Sequence, residues 1–308
     1  MSGSITLENR FGVNKMELIS LKYAIFVIVL LVLYYCFPKK YRWYVLLAGS
    51  MAYYVIICKW YVLFIIFTIC TTYGSTIWID KLLKEQNAIV KSHKEDWDRQ
   101  TRKEYKEKGR KKRVAVMLFA LLCNFGILAF LKYIPYAGEL GLLLPLGISF
   151  YTFQSMGYVM DVYREIVEPE KNFLKVALFV SFFPQIIQGP IAIYDKLAGQ
   201  LYEGHSLRLE NLQKGALLVL WGVMKKLVIA DRAVNIINFV MDKPMDFSGT
   251  YVFFAAVVYA LQLYADFSGG IDIVRGIAEM FGITMSTNFN HPYFSRSLTE
   301  YWLSLIHI

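Results

Sequence analysis

Residues 259–302 read YALQLYADFSGGIDIVRGIAEMFGITMSTNFNHPYFSRSLTEYW. The stretch opens inside an apolar run and then sets Gln262, Asp266, Ser268 and Asp272 within a few residues of one another. A carboxylate in or beside a membrane span is costly, so it faces a bundle interior or a watery cavity. Gln262 lies one helical turn before Asp266, on the same face, which favours one polar pocket over scattered features. The pair Gly269-Gly270 is expected to weaken the helix where these groups cluster. A segment that served only as an anchor would gain nothing from this arrangement.

The rest of the 308-residue chain agrees with a membrane setting. It is 56% hydrophobic and only 19% charged, and its mean hydropathy is +0.42. The apolar residues lie in long runs, and Tyr34, Tyr35, Trp43, Tyr44, Trp60 and Tyr61 stand at run ends as interfacial belts do. The fold class is therefore an all-α polytopic membrane protein. The net charge of +9 is concentrated in membrane-flanking loops. It is read as topology, and no nucleic-acid partner is expected. Cys36, Cys58, Cys70 and Cys123 all lie in apolar runs with no metal-binding spacing, so they are read as small apolar side chains and no metal site is expected. The N-terminus lacks the cationic n-region of a cleaved signal, so the first apolar run is expected to remain as a span.

Spans of about 20 residues suit a hydrocarbon core of about 30 Å. The expected spans are 19–37, 43–58, 60–79, 114–133, 141–160, 173–194, 213–231 and 250–268. Residues 233–241 and 271–283 read as short re-entrant or interfacial helices. The organisation is thus an N-terminal segment 1–18, three spans within 19–79, a hydrophilic loop 80–113, a core 114–302 and a tail 303–308. Residues 81–113 hold thirteen Lys and Arg, and the positive-inside rule puts this loop in the cytoplasm. Counting back through three spans leaves the N-terminus outside. It also places Lys39-Lys40-Tyr41-Arg42 inside, as its charge demands. The loop itself reads as a solvated helix pair with a topogenic charge bias. The charge bias does not decide the topology beyond residue 133.

Six segments, in order, resemble the membrane-bound O-acyltransferases (MBOAT), in particular the alginate O-acetyltransferase-like branch. They are LPLGISFYTFQSMGYVMDVYR (144–164), FFPQIIQGPI (182–191), WGVMKKLVIADR (221–232), YALQLYADFSGGIDIVRGIAEMFGI (259–283), NFNHPYFSRSL (288–298) and TEYW (299–302). The resemblance implies a helical bundle around a tunnel or funnel. It also implies transfer of an acyl group, commonly acetyl, to a hydroxyl of a cell-envelope polysaccharide or carrier. The donor would be acyl-CoA or another acyl thioester, a substrate rather than a bound cofactor. Membrane lipid, an acyl carrier or an extracytoplasmic transferase would be partners, and the location would be the plasma membrane of a bacterial-type cell. The chemistry is coherent: a sugar hydroxyl needs a base in the transition state, and histidine, with a pKa near 6.5, suits that role. The thioester carbonyl needs donors as its oxygen becomes negative.

Candidate residues follow, each with a second reading. Pro145 with Gly147, and Pro184 with Gly189-Pro190, are either packing kinks or broken helices whose freed backbone lines a cavity; Gln185 and Gln188 stand beside the second break. Lys225 and Lys226 are candidates for the phosphates of a donor, or snorkelling residues, since neighbours on a helix point different ways. Asp231-Arg232 reads as a local pair. Asp266, with Gln262 and Ser268, either lines the tunnel or pairs with an inner basic residue to fix the bundle. Asn288 and Asn290 are tunnel or substrate candidates that also form, with Pro292, a turn signal. His291 reads as an interfacial turn residue, and His93 and His205 as solvated loop residues.

The resemblance places a catalytic histidine shortly after Glu300-Tyr301-Trp302, behind basic residues. Here Leu303-Ser304-Leu305-Ile306-His307-Ile308 follows, and His307 is offset from that place and lacks those neighbours. LSLIHI is also what one frame of a common sequencing-adapter end encodes, so 303–308 is read as non-native. The 308-residue chain is then an inactive fragment of an active parent. Within the class, D-alanyl transfer to teichoic acid is a variant. From another class, a transporter or lipid flippase would also use broken helices and buried carboxylates, though such proteins often carry internal repeats, which are not seen here.

Overall fold

Long apolar runs leave the backbone no partner in lipid, so each must close its own hydrogen bonds as helix. The computed structural model describes residues 18–93, 95–133, 144–287 and 292–306. Among them no strand occurs. The helices are α1 (Leu21–Cys36), α2 (Arg42–Cys58), α3 (Val62–Ser92), α4 (Arg99–Tyr133), α5 (Ile148–Tyr163), α6 (Phe173–Ser181), α7 (Phe183–Gln188), α8 (Tyr194–Tyr202), α9 (Leu209–Met224), α10 (Asp231–Met241), α11 (Gly249–Met280) and α12 (Leu298–Ile306). Three helical stretches are long and apolar enough to cross a membrane by length and composition. They are Lys39–Ser92, which holds α2 and α3, then Arg99–Tyr133 and Gly249–Met280. Large apolar side chains such as Phe253, Phe254 and Leu122 stand outward on these helices, as lipid-facing surfaces require. The all-α polytopic class expected from composition is the one observed.

Several expected boundaries are corrected. Spans 60–79 and 114–133 do not end at the hydrophilic loop. α3 and α4 run 31 and 35 residues, about 45–50 Å, well past a core of about 30 Å. The cause is local: Lys, Glu and Arg are good helix formers, and Asp80–Lys84 (2.5 Å) and Lys81–Glu85 (3.9 Å) pair across one turn. Residues 173–194 are not one span. α6 has 9 residues and α7 has 6, and Phe182 between them leaves helical geometry at ψ 109°. Pro184 has no N–H with which to continue α6, and it is tolerated in the first turn of the next helix. Residues 213–231 and 233–241 are joined, because one π-helical turn, Lys225–Ala230, carries α9 directly into α10. Residues 250–268 and 271–283 likewise form a single 32-residue helix, α11, unbroken at Gly269-Gly270.

The chain divides into two units. The first comprises residues 46–186 and 193–202. In it α3 packs on α4, α5 and α6, and α8 on α6. Its interior holds Tyr54, Tyr151, Tyr158 and Phe179. Gly147 opens α5 at φ +70°, and a Cβ there would meet the carbonyl of Ile186. The left-handed conformation and the close approach both call for glycine. The second unit comprises residues 16–45, 187–192 and 203–308, with α11 packed on α9, the π turn and α10.

Candidate functional site

Two glycine pairs build the site in the second unit. Gly215 and Gly222 lie two turns apart on one face of α9, and Gly269 and Gly276 lie two turns apart on one face of α11. Gly215 meets Gly276 and Gly222 meets Gly269, so the helices run antiparallel with backbones nearly touching. A Cβ at Gly215 would stand 2.5 Å from the carbonyl oxygen of Gly276, and one at Gly276 2.6 Å from that of Gly215. At Gly269 the distance to the Gly222 oxygen would be 2.8 Å. This is the small-residue packing that lets helices associate in lipid, where no hydrophobic force holds them. Gly270 serves another neighbour, since a Cβ on it would run into the side chain of Gln188. The doubled glycine is thus a contact surface rather than a weak point.

Close approach brings charges together. Lys225 Nζ lies 2.6 Å from Asp272 Oδ2, and Lys226 Nζ lies 2.5 Å from Asp266 Oδ1. Arg275 reaches Asp272 at 3.4 Å. Asp266 and Asp272 are six residues apart, about 9 Å along α11, yet two adjacent lysines serve both. Long flexible stems let the two adjacent lysines reach the same helix from the π turn, and such turns recur at functional sites. Asp272 and Lys225 have side chains only 13% and 16% exposed, whereas Asp266 is 40% exposed. Lys225 also lies 5.6 Å from the ring centre of Trp221.

The seam holds three cations and two carboxylates, and so carries one positive charge in excess. Arg275 Nε and the hydroxyl of buried Ser268 have no hydrogen-bond partner among the described residues. Such a seam suits an electron-rich oxygen or anion that would take up the free donors.

The positions of the remaining candidates are mixed. Gln188 joins the seam through Gly270, and Gln262 is half-buried one turn before Asp266. Gln185 is buried in the first unit, at 3% exposure. Asn288, Asn290, His291 and His307 lie outside the described residues. Both lysines stand in ion pairs with carboxylates of α11.

His205 is corrected. It is not a free loop residue, because its side chain presses on Gly282, which adopts φ +82°. Its backbone N–H donates to the Tyr34 hydroxyl at 3.2 Å, and its carbonyl accepts from Arg42. Arg42 also stacks on Tyr34 and Tyr35, and the Tyr35 hydroxyl donates to the Met280 carbonyl at 2.7 Å. This clamp, and Gly215, Gly222 and Gly276, were not picked out from the sequence. The glycine spacing of seven was the signal that could have revealed the helix contact.

No family model matches the chain. It is 32% identical over 224 residues to the peptidoglycan O-acetyltransferase of Helicobacter pylori, a match covering 60% of this chain and 42% of that protein. It is 37% identical over 162 residues to the probable alginate O-acetylase AlgI of Pseudomonas syringae pv. tomato, covering 52% and 30%. It is 25% identical over 163 residues to the teichoic acid D-alanyltransferase of Bacillus subtilis, covering 51% and 40%. The chain spans less than half the length of each of these relatives. The resemblance read from the six segments is borne out, and the chain is a homologue of the peptidoglycan and alginate O-acetylases of the MBOAT family.

Proposed function

We propose that the whole protein is an integral plasma-membrane O-acyltransferase that moves an acetyl group from a thioester donor to a hydroxyl of a cell-envelope polysaccharide or its carrier. The observation that carries this is the identity of 32–37% to proteins named as O-acetylating enzymes of two envelope polymers. The charged seam of α9, the π turn and α11 is compatible with it, because it concentrates hydrogen-bond donors of the kind a carbonyl oxygen calls for as it gains charge in acyl transfer. Gln188, Gln262, Asp266 and Ser268 would then face the transfer path, while Lys225 and Lys226 would meet a donor phosphate only by exchanging a carboxylate for it. The 308-residue chain by itself is proposed to transfer nothing, since the resemblance sets the catalytic histidine after Trp302. The 25% identity to a D-alanyltransferase makes D-alanyl the second acyl group to test. An acyl carrier or an extracytoplasmic transferase completes the scheme as partner.

Deleting the gene is expected to lower the ester-linked acetyl released from the envelope by mild base, and the full-length gene is expected to restore it. Unchanged acetyl and D-alanyl ester content in the deletion strain would refute the assignment.

The proposed topology has residues 80–113 in the cytoplasm and the N-terminus outside, from the agreement of two basic loops. A Gln100→Cys variant in intact cells should resist an impermeant maleimide and react after permeabilisation. Efficient labelling of intact cells would reverse the orientation.

A further inference from the structure

Beyond the apolar part of the first unit, α3 and α4 continue side by side and border an open cavity of about 540 Å³. Its wall on α4 carries Lys103, Lys106, Arg110 and Arg113. Their spacing of three and four residues puts all four on one helical face. Two carboxylates, Glu107 and Glu165, share the lining, so the cavity has two positive charges in excess. Arg113 is 8% exposed, and its terminal nitrogen meets Glu165 at 2.7 Å. Its Nε has no hydrogen-bond partner among the described residues. Gln86, 5% exposed, donates to the Lys106 carbonyl at 3.1 Å and leaves its own side-chain oxygen without a partner. Glu165, at φ +63°, is the left-handed residue that caps α5, its N–H donating to the Val162 carbonyl at 3.1 Å and that of Ile166 to the Asp161 carbonyl at 3.0 Å.

A solvated topogenic helix pair needs none of this. Charges that only set orientation have no reason to converge on a cavity or to bury an arginine. A buried donor without a partner, the Nε of Arg113, points to a ligand that brings an acceptor oxygen. We infer that this cavity is a binding site for a phosphate-bearing ligand. Guanidinium groups match phosphate oxygens in a two-point geometry, and lysines add compact charge. Arg113 stands where α4 turns apolar, and Lys103 lies ten residues before it, about 15 Å away. A phospholipid headgroup would reach the Arg113 end, while a soluble diphosphate would span the row. Both offer the same chemistry. The inference does not rest on acyl transfer.

The test uses the purified chain in nanodiscs at about 0.15 M salt, where loose surface attraction is screened. The variant is Lys103→Ala, Lys106→Ala and Arg110→Ala together. All three side chains are exposed, and alanine preserves the helix. The charge-matched control is Lys91→Ala, Lys108→Ala and Lys112→Ala, on the same hairpin but outside the cavity lining. One arm measures binding of inorganic pyrophosphate by equilibrium dialysis. The other measures retention of phosphatidylglycerol by native mass spectrometry. In at least one arm the cavity variant is expected to bind about tenfold or more weakly, with the control matching the unaltered chain. Loss in the first arm identifies a soluble phosphate ligand, and loss in the second a lipid headgroup. Equal binding by the variant and the control in both arms would overturn the inference.

Discussion

Replacing Gly222 by valine is expected to lower the stability of the folded protein severely. A Cβ at this position would stand against the Gly269 carbonyl and 2.8 Å from Ile273 Cγ1. Overpacking of an ordinary core costs about 1–3 kcal/mol. Here the opposing atom is backbone, so no side chain can rotate aside and the two helices must part. Parting them also opens the Lys225–Asp272 and Lys226–Asp266 pairs. A combined loss of about 3 kcal/mol lowers a folded-to-unfolded ratio roughly a hundredfold. Size-exclusion chromatography in detergent after stepwise heating should show the monodisperse peak lost about 5–10 °C earlier than for the unaltered chain. Gly126→Ala is the control: a Cβ there meets nothing within 4 Å, and alanine in a helix interior gains about 0.5–1 kcal/mol over glycine. An unshifted melting for Gly222→Val would mean that α9 and α11 do not touch as described.

Asp272→Ala is expected to be the most damaging single change among the charged residues. It leaves Lys225 and Arg275 facing one another in a poorly exposed place. Breaking a buried pair by removing one partner costs about 3–5 kcal/mol. Asp266→Asn should cost less, about 1 kcal/mol or below, because Asp266 is 40% exposed and water screens its pair. The double change Lys225→Met with Asp272→Ala should recover part of the loss, since the uncompensated cation goes with its partner. Thermal unfolding followed by tryptophan fluorescence would rank the three variants. If Asp266→Asn proves the worst, burial does not govern this seam.

The sequence showed some of this clearly. Apolar run length located α1, α2, the apolar parts of α3 and α4, and the body of α11. The thirteen basic residues of 81–113 marked the hairpin. The polar residues of 262–272 marked the seam, with emphasis on Asp266 where the structure buries Asp272 more deeply. Other features depend on contacts distant in sequence. Gly269-Gly270 looks like a weak point when only local propensity is weighed, because Gly222 and Gln188 lie 47 and 82 residues away. Lys225 and Lys226 look divergent under helical geometry, yet their long stems bring both ammonium groups to carboxylates of α11. His205 sits in a polar segment, and nothing nearby announces that Gly282 packs against it. The basic face of 103–113 was readable at helical spacing. Its cavity also needed Gln86 and Glu165, which come from other helices or their ends.

The most direct measurement of the central claim is transfer of labelled acetyl by membranes that contain the full-length gene product. A labelled acetyl thioester would be supplied on the cytoplasmic face of inverted vesicles, with the envelope polymer fraction collected and counted. Base-labile label in that fraction, absent from vector membranes and from vesicles bearing only the 308-residue chain, is the expected result. No transfer of either acetyl or D-alanyl label by correctly inserted full-length protein, with its partners present, would contradict the assignment.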